Sequence, residues 1–268
     1  MNRRALVAAP LALLAGLALA ACGTPAADKP ADALVVGASS APHAQILAEA
    51  ARLVPDLKLQ VKEFDDYVQP NLATESGELD ANYFQHQAYL DDFAASNPVH
   101  LVAVVPVHIE PLGAYSKKVK SIADLPQGAD VAIPADATNG GRALALLAGQ
   151  GLITLKEGAG VKATERDIAA NPKQLKITAL EAAQLPRSLD DVDLAVINGN
   201  FALQAGLQPA TDALALEAAK DNPYANLLVV KQGHENDPRI QRLAQVLASP
   251  EIKKFIESTY DGAVIPAS

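Results

Sequence analysis

From Leu34 onward, short apolar runs alternate with stretches of helical periodicity, and this alternation restricts the fold more than any other feature of the chain. LVVGAS (34–39) reads as a buried strand. SSAPHAQILAEAARLVP follows as a helix capped through Ser and Pro, with Ile46, Leu47, Ala50, Ala51 and Val54 at helical spacing. LKLQVKEF (57–64) alternates and reads as a strand; a helix over 66–77 and a short strand over 79–83 come next. HLVAVVPVHIEPLGAYS (100–116) reads as one long extended stretch. A second set starts after Lys120. ADVAIPA (129–135), LKITAL (175–180) and DVDLAVING (191–199) are strands, TNGGRALALLAGQGLI (138–153) is a helix, and AAQLPRSL is a short helix ended by Pro186. The strand ANLLVVKQG (225–233) and helices over 238–248 and 250–260 close the chain.

Such alternation predicts an α/β architecture with mainly parallel sheets. Two sets of strands predict two lobes: 33–116 with 224–268 in the first, and 117–223 in the second. The two chain crossings between them form a hinge. Ligands in folds of this kind bind at strand C-terminal ends or between lobes.

The first 22 residues stand apart from that pattern. Arg3 and Arg4 precede the uncharged ALVAAPLALLAGLALAA, and Cys22 follows Leu19-Ala20-Ala21. Charge, length and small residues at the end describe a secretory signal peptide, and the run is short and weakly hydrophobic for a membrane span. Leu19 to Cys22 resembles the lipobox of bacterial lipoproteins, which implies that Cys22 carries acyl chains. Cys22 is the only cysteine, so the fold has no intrachain disulfide. GTPAADKPAD (23–32) is small, polar and Pro-bearing, as a flexible tether is. The net charge of −9 becomes more negative once Arg3 and Arg4 are removed, which disfavours nucleic acid as a partner.

The chain has six Tyr, five Phe and no Trp, yet Tyr83, Phe84, Tyr89 and Phe93 fall within DANYFQHQAYLDDF (80–93), with His86 among them. Either this is a local patch of core or it is a wall of a closing pocket. In IPADATNGGRALALL (133–147), Thr138 or Asn139 is expected to cap a helix. Gly140 and Gly141 let a backbone or a ligand approach, and Arg142 lies in the first turn. A cation there is unfavourable for the helix dipole and is accounted for either by a clamped ligand carboxylate or by pairing with an internal Asp or Glu. Asn198, Gly199 and Asn200 end a strand, and Asn226 opens another; each amide reads as a ligand partner or as a cap.

His108 and Glu110 share a face of an extended segment. No further His or Cys stands near them in sequence, so hydrogen bonding at the crossing is expected there, without a metal. Ser39 and Ser40 could suggest a hydrolase, but no companion His/Asp arrangement accompanies them. The chain contains no G-x-S-x-G, H-E-x-x-H, G-x-G-x-x-G or GxxxxGK[ST] motif.

Taken in order, VGASSAPHAQIL, DDYVQPN, LDANYFQHQAYLD, HIEPLGAYSKK, IPADATNGGRALALL, AVINGNFA and NPYANLLVV resemble the NlpA lipoprotein family, the methionine-binding lipoproteins of bacterial ABC importers. The resemblance implies a two-lobed periplasmic-binding-protein fold (type II-like) that closes on a free amino acid, without catalysis or cofactor. It further implies an ABC permease and its ATPase as partners. The exported protein would be lipid-anchored to a bacterial membrane, with its globular part in the periplasm or on the outer face of the cytoplasmic membrane. It places Tyr83, Phe84 and His86 around the methionine side chain, with Tyr115 nearby. Arg142 is implied on the α-carboxylate, and Asn139, Asn198 and Asn226 as partners of carboxylate and ammonium. His108 is a weaker correspondence. The family varies at Asn200, which is therefore left out. A D-amino acid, a methionine derivative or a short peptide is the alternative ligand, and adhesion at the cell surface the alternative role.

Overall fold

The computed structural model describes residues 32–267. The leader, Cys22 and the tether up to residue 31 lie outside them. The chain folds into two α/β lobes, each built on one sheet.

In the first lobe, β1 (Leu34–Ala38) leads through a bend into α1 (Gln45–Leu53), then β2 (Leu59–Glu63), α2 (Gln69–Ser76), β3 (Ala81–His86), α3 (Gln87–Ser96) and β4 (Leu101–Ile109). The chain crosses over and forms β5 (Gly113–Tyr115), β6 (Asp130–Pro134) and α4 (Ala137–Gly149). It continues as β7 (Thr154–Leu155), β8 (Ile168–Ala170), β9 (Lys176–Leu180), α5 (Leu185–Ser188), β10 (Leu194–Ile197), α6 (Gly199–Gln204), α7 (Pro209–Asp212) and β11 (Ala215–Leu216). It then returns through β12 (Ala225–Lys231), α8 (Pro238–Leu247), α9 (Pro250–Tyr260) and β13 (Ile265–Pro266).

The first sheet has the order β13-β4-β12-β3-β1-β2 and the second β11-β5-β10-β6-β9. Both are mixed rather than mainly parallel. β1 pairs in parallel with β2 and β3, and β6 with β9 and β10. β12 and β5, which border the crossings, pair antiparallel with both neighbours. Helices α1, α2, α4 and α5 join the parallel strands of each lobe, whereas β5 and β12 are reached through the crossings without one and lie antiparallel.

The run 100–116 is two strands, not one. β4 belongs to the first sheet and β5 to the second, so the first crossing is Glu110-Pro111-Leu112 and Tyr115 sits in the second lobe. Pro111 cannot donate to a ladder, and the break falls there. The return crossing spans 217–224. The two crossings bond each other: Glu217 N–H donates to the Leu112 carbonyl at 2.8 Å.

Local corrections have local causes. Ser39 makes no side-chain cap; Ala41 is extended (φ −136°), the Ala41–Pro42 peptide is cis, and α1 starts only at Gln45. Pro186 stands in the first turn of α5 rather than at its end, where its missing N–H costs nothing. Asp136, not Thr138 or Asn139, caps α4, its carboxylate accepting from Asn139 N–H, and Arg142 falls in the second turn.

One face of the first sheet packs Leu34, Val36, Tyr83, Leu228 and Val230 against Ile46 and Leu47 of α1, Leu243 of α8 and Ile252 and Ile256 of α9. Its other face packs Phe84, Leu227 and Val229 against Tyr89, Leu90 and Phe93 of α3. In the second lobe Val131, Ile133, Leu194 and Val196 pack on Leu144 and Leu147 of α4. Each such fully buried Leu, Ile or Val contributes about 1.5–3 kcal/mol.

Candidate functional site

A cavity lies between the lobes, about 340 Å³ of space between atoms when its open mouth is included. Tyr67, Phe84, His86, Tyr89 and Asn226 line it from the first lobe, Asn139, Arg142, Asn198 and Asn200 from the second, and Glu110 from the first crossing. Of the residues singled out in the sequence, it gathers Phe84, His86, Asn139, Arg142, Asn198 and Asn226. It does not include Tyr83 or Tyr115. Tyr83 lies on the opposite face of the first sheet, fully buried. Tyr115 packs with Leu185, Ile197 and Phe201 in the second lobe.

The aromatic stretch 80–93 is therefore core and cavity wall at once. Phe84 and Tyr89 serve both, Phe93 only the core beneath α3. Tyr67 adds a ring, 5.7 Å from Phe84 and from Tyr89 and 5.1 Å from Phe201 of the other lobe. Its hydroxyl donates to Asn200 Oδ1 at 2.6 Å, a bond between lobes.

His86 ends β3 and caps α3: its Nδ1 accepts from Tyr89 N–H at 3.1 Å. Nε2 must then carry the proton, and it donates across the cleft to Asn139 Oδ1 at 3.1 Å. Burial, then the nearby Arg142 charge, depresses the His86 pKa to about 3. The ring is neutral, as both bonds require.

Arg142 is 4% exposed and already paired. Its Nε and NH2 face Glu217 at 3.1 and 2.6 Å, NH2 reaches the Glu110 carbonyl at 3.4 Å, and NH1 donates to Asn139 Oδ1 at 3.0 Å. Its guanidinium lies 4.0 Å from the Tyr224 ring centre. The internal-acid reading of this residue thus holds for one edge of the fork. The NH1 edge remains turned to the cavity polar groups. Gly140 and Gly141 admit backbone rather than ligand: a Cβ would stand 2.8 Å from the Pro134 carbonyl oxygen at the first and 2.2 Å from that of Val161 at the second.

At the other side of the polar end stands Glu110, 7% exposed. Oε1 accepts from His108 Nε2 at 2.7 Å, and His43 Nε2, which donates to Asn226 Oδ1 at 3.0 Å, lies 3.2 Å from the same oxygen. Burial raises its pKa, opposed by His43 and Arg142; burial depresses His43 to about 4 and His108 to about 3. His43, His108 and Glu110 present three metal-ligand atoms within 4.8 Å of one another. A cation could enter only by displacing the hydrogen bonds that already join them. Two buried polar atoms on the cavity lining have no partner among the described residues: Asn198 Oδ1, an acceptor, and Asn200 Nδ2, a donor.

Sequence reasoning did not assign Tyr67, Tyr89, Glu110 or Asn200 to the site. All four lie in the family motifs, where a ring, a charge or an amide is the only signal; what sets Tyr67 and Asn200 on the cavity is the contact between them, made across the lobes. Ser39 and Ser40 form no hydrogen bond with a histidine among the described residues.

The NlpA lipoprotein family model matches residues 34–268. This chain belongs to the NlpA lipoprotein family. Relatives within it include the D-methionine-binding lipoprotein MetQ of Salmonella typhimurium, 41% identical over 95% of this chain and 94% of that one. The methionine-binding lipoprotein MetQ of Bacillus subtilis is 41% identical over 99% of both. A solved nutrient binding protein of Burkholderia cenocepacia, bound to methionine, is 47% identical and superposes with a TM-score of 0.84, covering 88% of this chain and all of that one. The family and the two-lobed binding-protein fold expected from the motifs are thus both established. Among the described residues, no helix is long and apolar enough to cross a membrane.

Proposed function

We propose that this NlpA lipoprotein is the substrate-binding component of an ABC importer and that its cavity receives free methionine. The carrying observation is the cavity's division of labour. Its lining combines the Arg142 guanidinium and the Glu110 carboxyl group with the rings of Phe84, Tyr67 and Tyr89. A zwitterion with an apolar side chain matches both kinds of group. Thioether contacts with ring edges contribute about 0.3–1.5 kcal/mol each.

In this reading the ligand carboxylate meets Arg142 NH1, Asn200 Nδ2 and the amide N–H of Asn226. The ammonium meets Glu110 and Asn198 Oδ1. His43 Nε2 donates to Asn226 Oδ1 at 3.0 Å and so orients that amide. Asn139 holds Arg142 and His86 in place. The names of the relatives and the methionine-bound neighbour support the ligand. No catalytic step is assigned.

Lipid on Cys22 would tether the protein to a membrane beside its permease. Several acyl chains make such an anchor stable where one gives only marginal binding. Replacing Cys22 with Ser should release the exported protein into the soluble fraction; retention at the membrane would refute the anchor.

Calorimetric titration of protein unfolded and refolded to strip bound ligand tests the main reading. Tight binding of methionine over other apolar amino acids is expected. No heat with either enantiomer of methionine would overturn it. Because relatives are named both for D-methionine and for methionine, both enantiomers are titrated.

A further inference from the structure

We propose that Tyr83, His108 and His43 form a buried positioning relay that aims the Glu110 carboxylate at the ligand's ammonium group. This rests on the amino-acid reading of the cavity. The three residues are 0–1% exposed and belong to the core behind the cavity wall, not to the wall.

The hydrogen bonds fix their own direction. His43 Nε2 faces only acceptors, Glu110 Oε1 at 3.2 Å and Asn226 Oδ1 at 3.0 Å, while its Nδ1 has no partner. The proton therefore sits on Nε2. His108 Nε2 lies 2.7 Å from the same Oε1, so it too carries the proton, and its Nδ1 must accept from the Tyr83 hydroxyl. The donors of Tyr83 and His108 lead to Glu110, and His43 Nε2, bonded to Asn226, lies beside the same carboxylate oxygen. Such convergence favours a fixed anion in a site where burial alone would favour the neutral acid. The rings also hold each other edge to face: His43 lies 4.8 Å from Tyr83 and 4.9 Å from His108 between centroids.

The opposite side of the carboxylate is equally confined. A Cβ at Gly199 would stand 2.9 Å from Glu110 Oε2 and 2.7 Å from its Cβ, so only glycine there leaves the side chain its place. With Oε1 bonded to His108 and flanked by His43, and Oε2 against the start of α6, the carboxylate is confined on both sides. A geometry set in advance strengthens a polar contact without ordering cost at binding. Asn226 is oriented by the same imidazole, so His43 couples an anionic and an amide contact of the cavity.

The test compares methionine with its desamino analogue, which keeps thioether and carboxylate and lacks the ammonium. Tyr83→Phe removes only a hydroxyl. It should weaken methionine about tenfold while leaving the analogue within about twofold, the scale of one buried hydrogen bond. In a Glu110→Gln background the same change should have no further effect. Equal losses for both ligands, no loss for methionine, or an undiminished effect without Glu110 would overturn the relay. Nitrogen NMR of the wild-type protein gives a ligand-independent arm: neutral Nε2–H tautomers of His43 and His108 are expected, and an Nδ1–H tautomer in either refutes it. Failure of the amino-acid reading shows separately, as a wild type that binds no zwitterionic amino acid.

Discussion

Arg142 and Glu217 join the second lobe to the return crossing through two hydrogen bonds, 3.1 and 2.6 Å long, on one edge of the guanidinium. The same side chain touches the first crossing at the Glu110 carbonyl. One buried cation thus ties both crossings to α4 and turns its remaining edge to the cavity. Arg142→Ala should weaken methionine by at least about tenfold, since a charged contact is lost and Glu217 keeps only the neutral donors Asn222 Nδ2 and Leu112 N–H. Glu217→Gln should act chiefly on stability, by about 2–3 kcal/mol in urea unfolding, below the cost of breaking a fully buried pair because Glu217 is 18% exposed. Unchanged methionine affinity in Arg142→Ala would remove that residue from the site.

His86 predicts a pH dependence of stability. Its pKa falls from 6.5 unfolded to about 3 folded, because burial and Arg142 disfavour the charged ring. Between these values the unfolded chain binds the proton and the folded chain does not. Its contribution is therefore full above pH 6.5 and is lost as pH falls toward 3. The groups facing it are Arg142, Asn139, Tyr89 and Tyr224. His43 and His108 act in the same direction and Glu110 against them. His86→Gln should reduce the loss of stability between pH 6 and 4 by up to about 1.4 kcal/mol per pH unit. Parallel pH profiles for variant and wild type would contradict the neutral buried ring.

Tyr67 should govern release. Its hydroxyl bonds Asn200 across the lobes and its ring meets Phe201. Tyr67→Phe keeps the ring contacts and leaves Asn200 Oδ1 unpaired when the lobes are closed, a cost of about 1–3 kcal/mol. Stopped-flow measurement should show methionine dissociating roughly tenfold faster, with association little changed. A slower association with unaltered dissociation would argue against a bond made in the closed state.

Gly141→Ala offers a stability test independent of ligand. Helix propensity alone favours Ala by about 1 kcal/mol. The added Cβ would meet the Val161 carbonyl oxygen at 2.2 Å, a backbone atom that cannot step aside cheaply. Overpacking of this kind costs about 1–3 kcal/mol, so the midpoint of urea unfolding should fall. A rise would mean that the 160–162 turn is not held against α4.

The sequence by itself determined the α/β pattern, because apolar periodicity is a local property of strands and helices. It determined the family through motifs in order along 34–268, and through them six of the cavity residues, Phe84, His86, Asn139, Arg142, Asn198 and Asn226. Tertiary structure decided the rest. The sheets are mixed because β5 and β12, placed by the crossings, run antiparallel to both of their neighbours. Tyr83 and Phe84 are adjacent in sequence, yet only Phe84 reaches the cavity, according to which face of the first sheet each occupies. Arg142 found Glu217, and His43 found Glu110 and Asn226, across 75, 67 and 183 positions of chain. Charge pairing depends on a few ångströms in space and leaves no periodic trace in sequence, so only the folded chain could assign those partners.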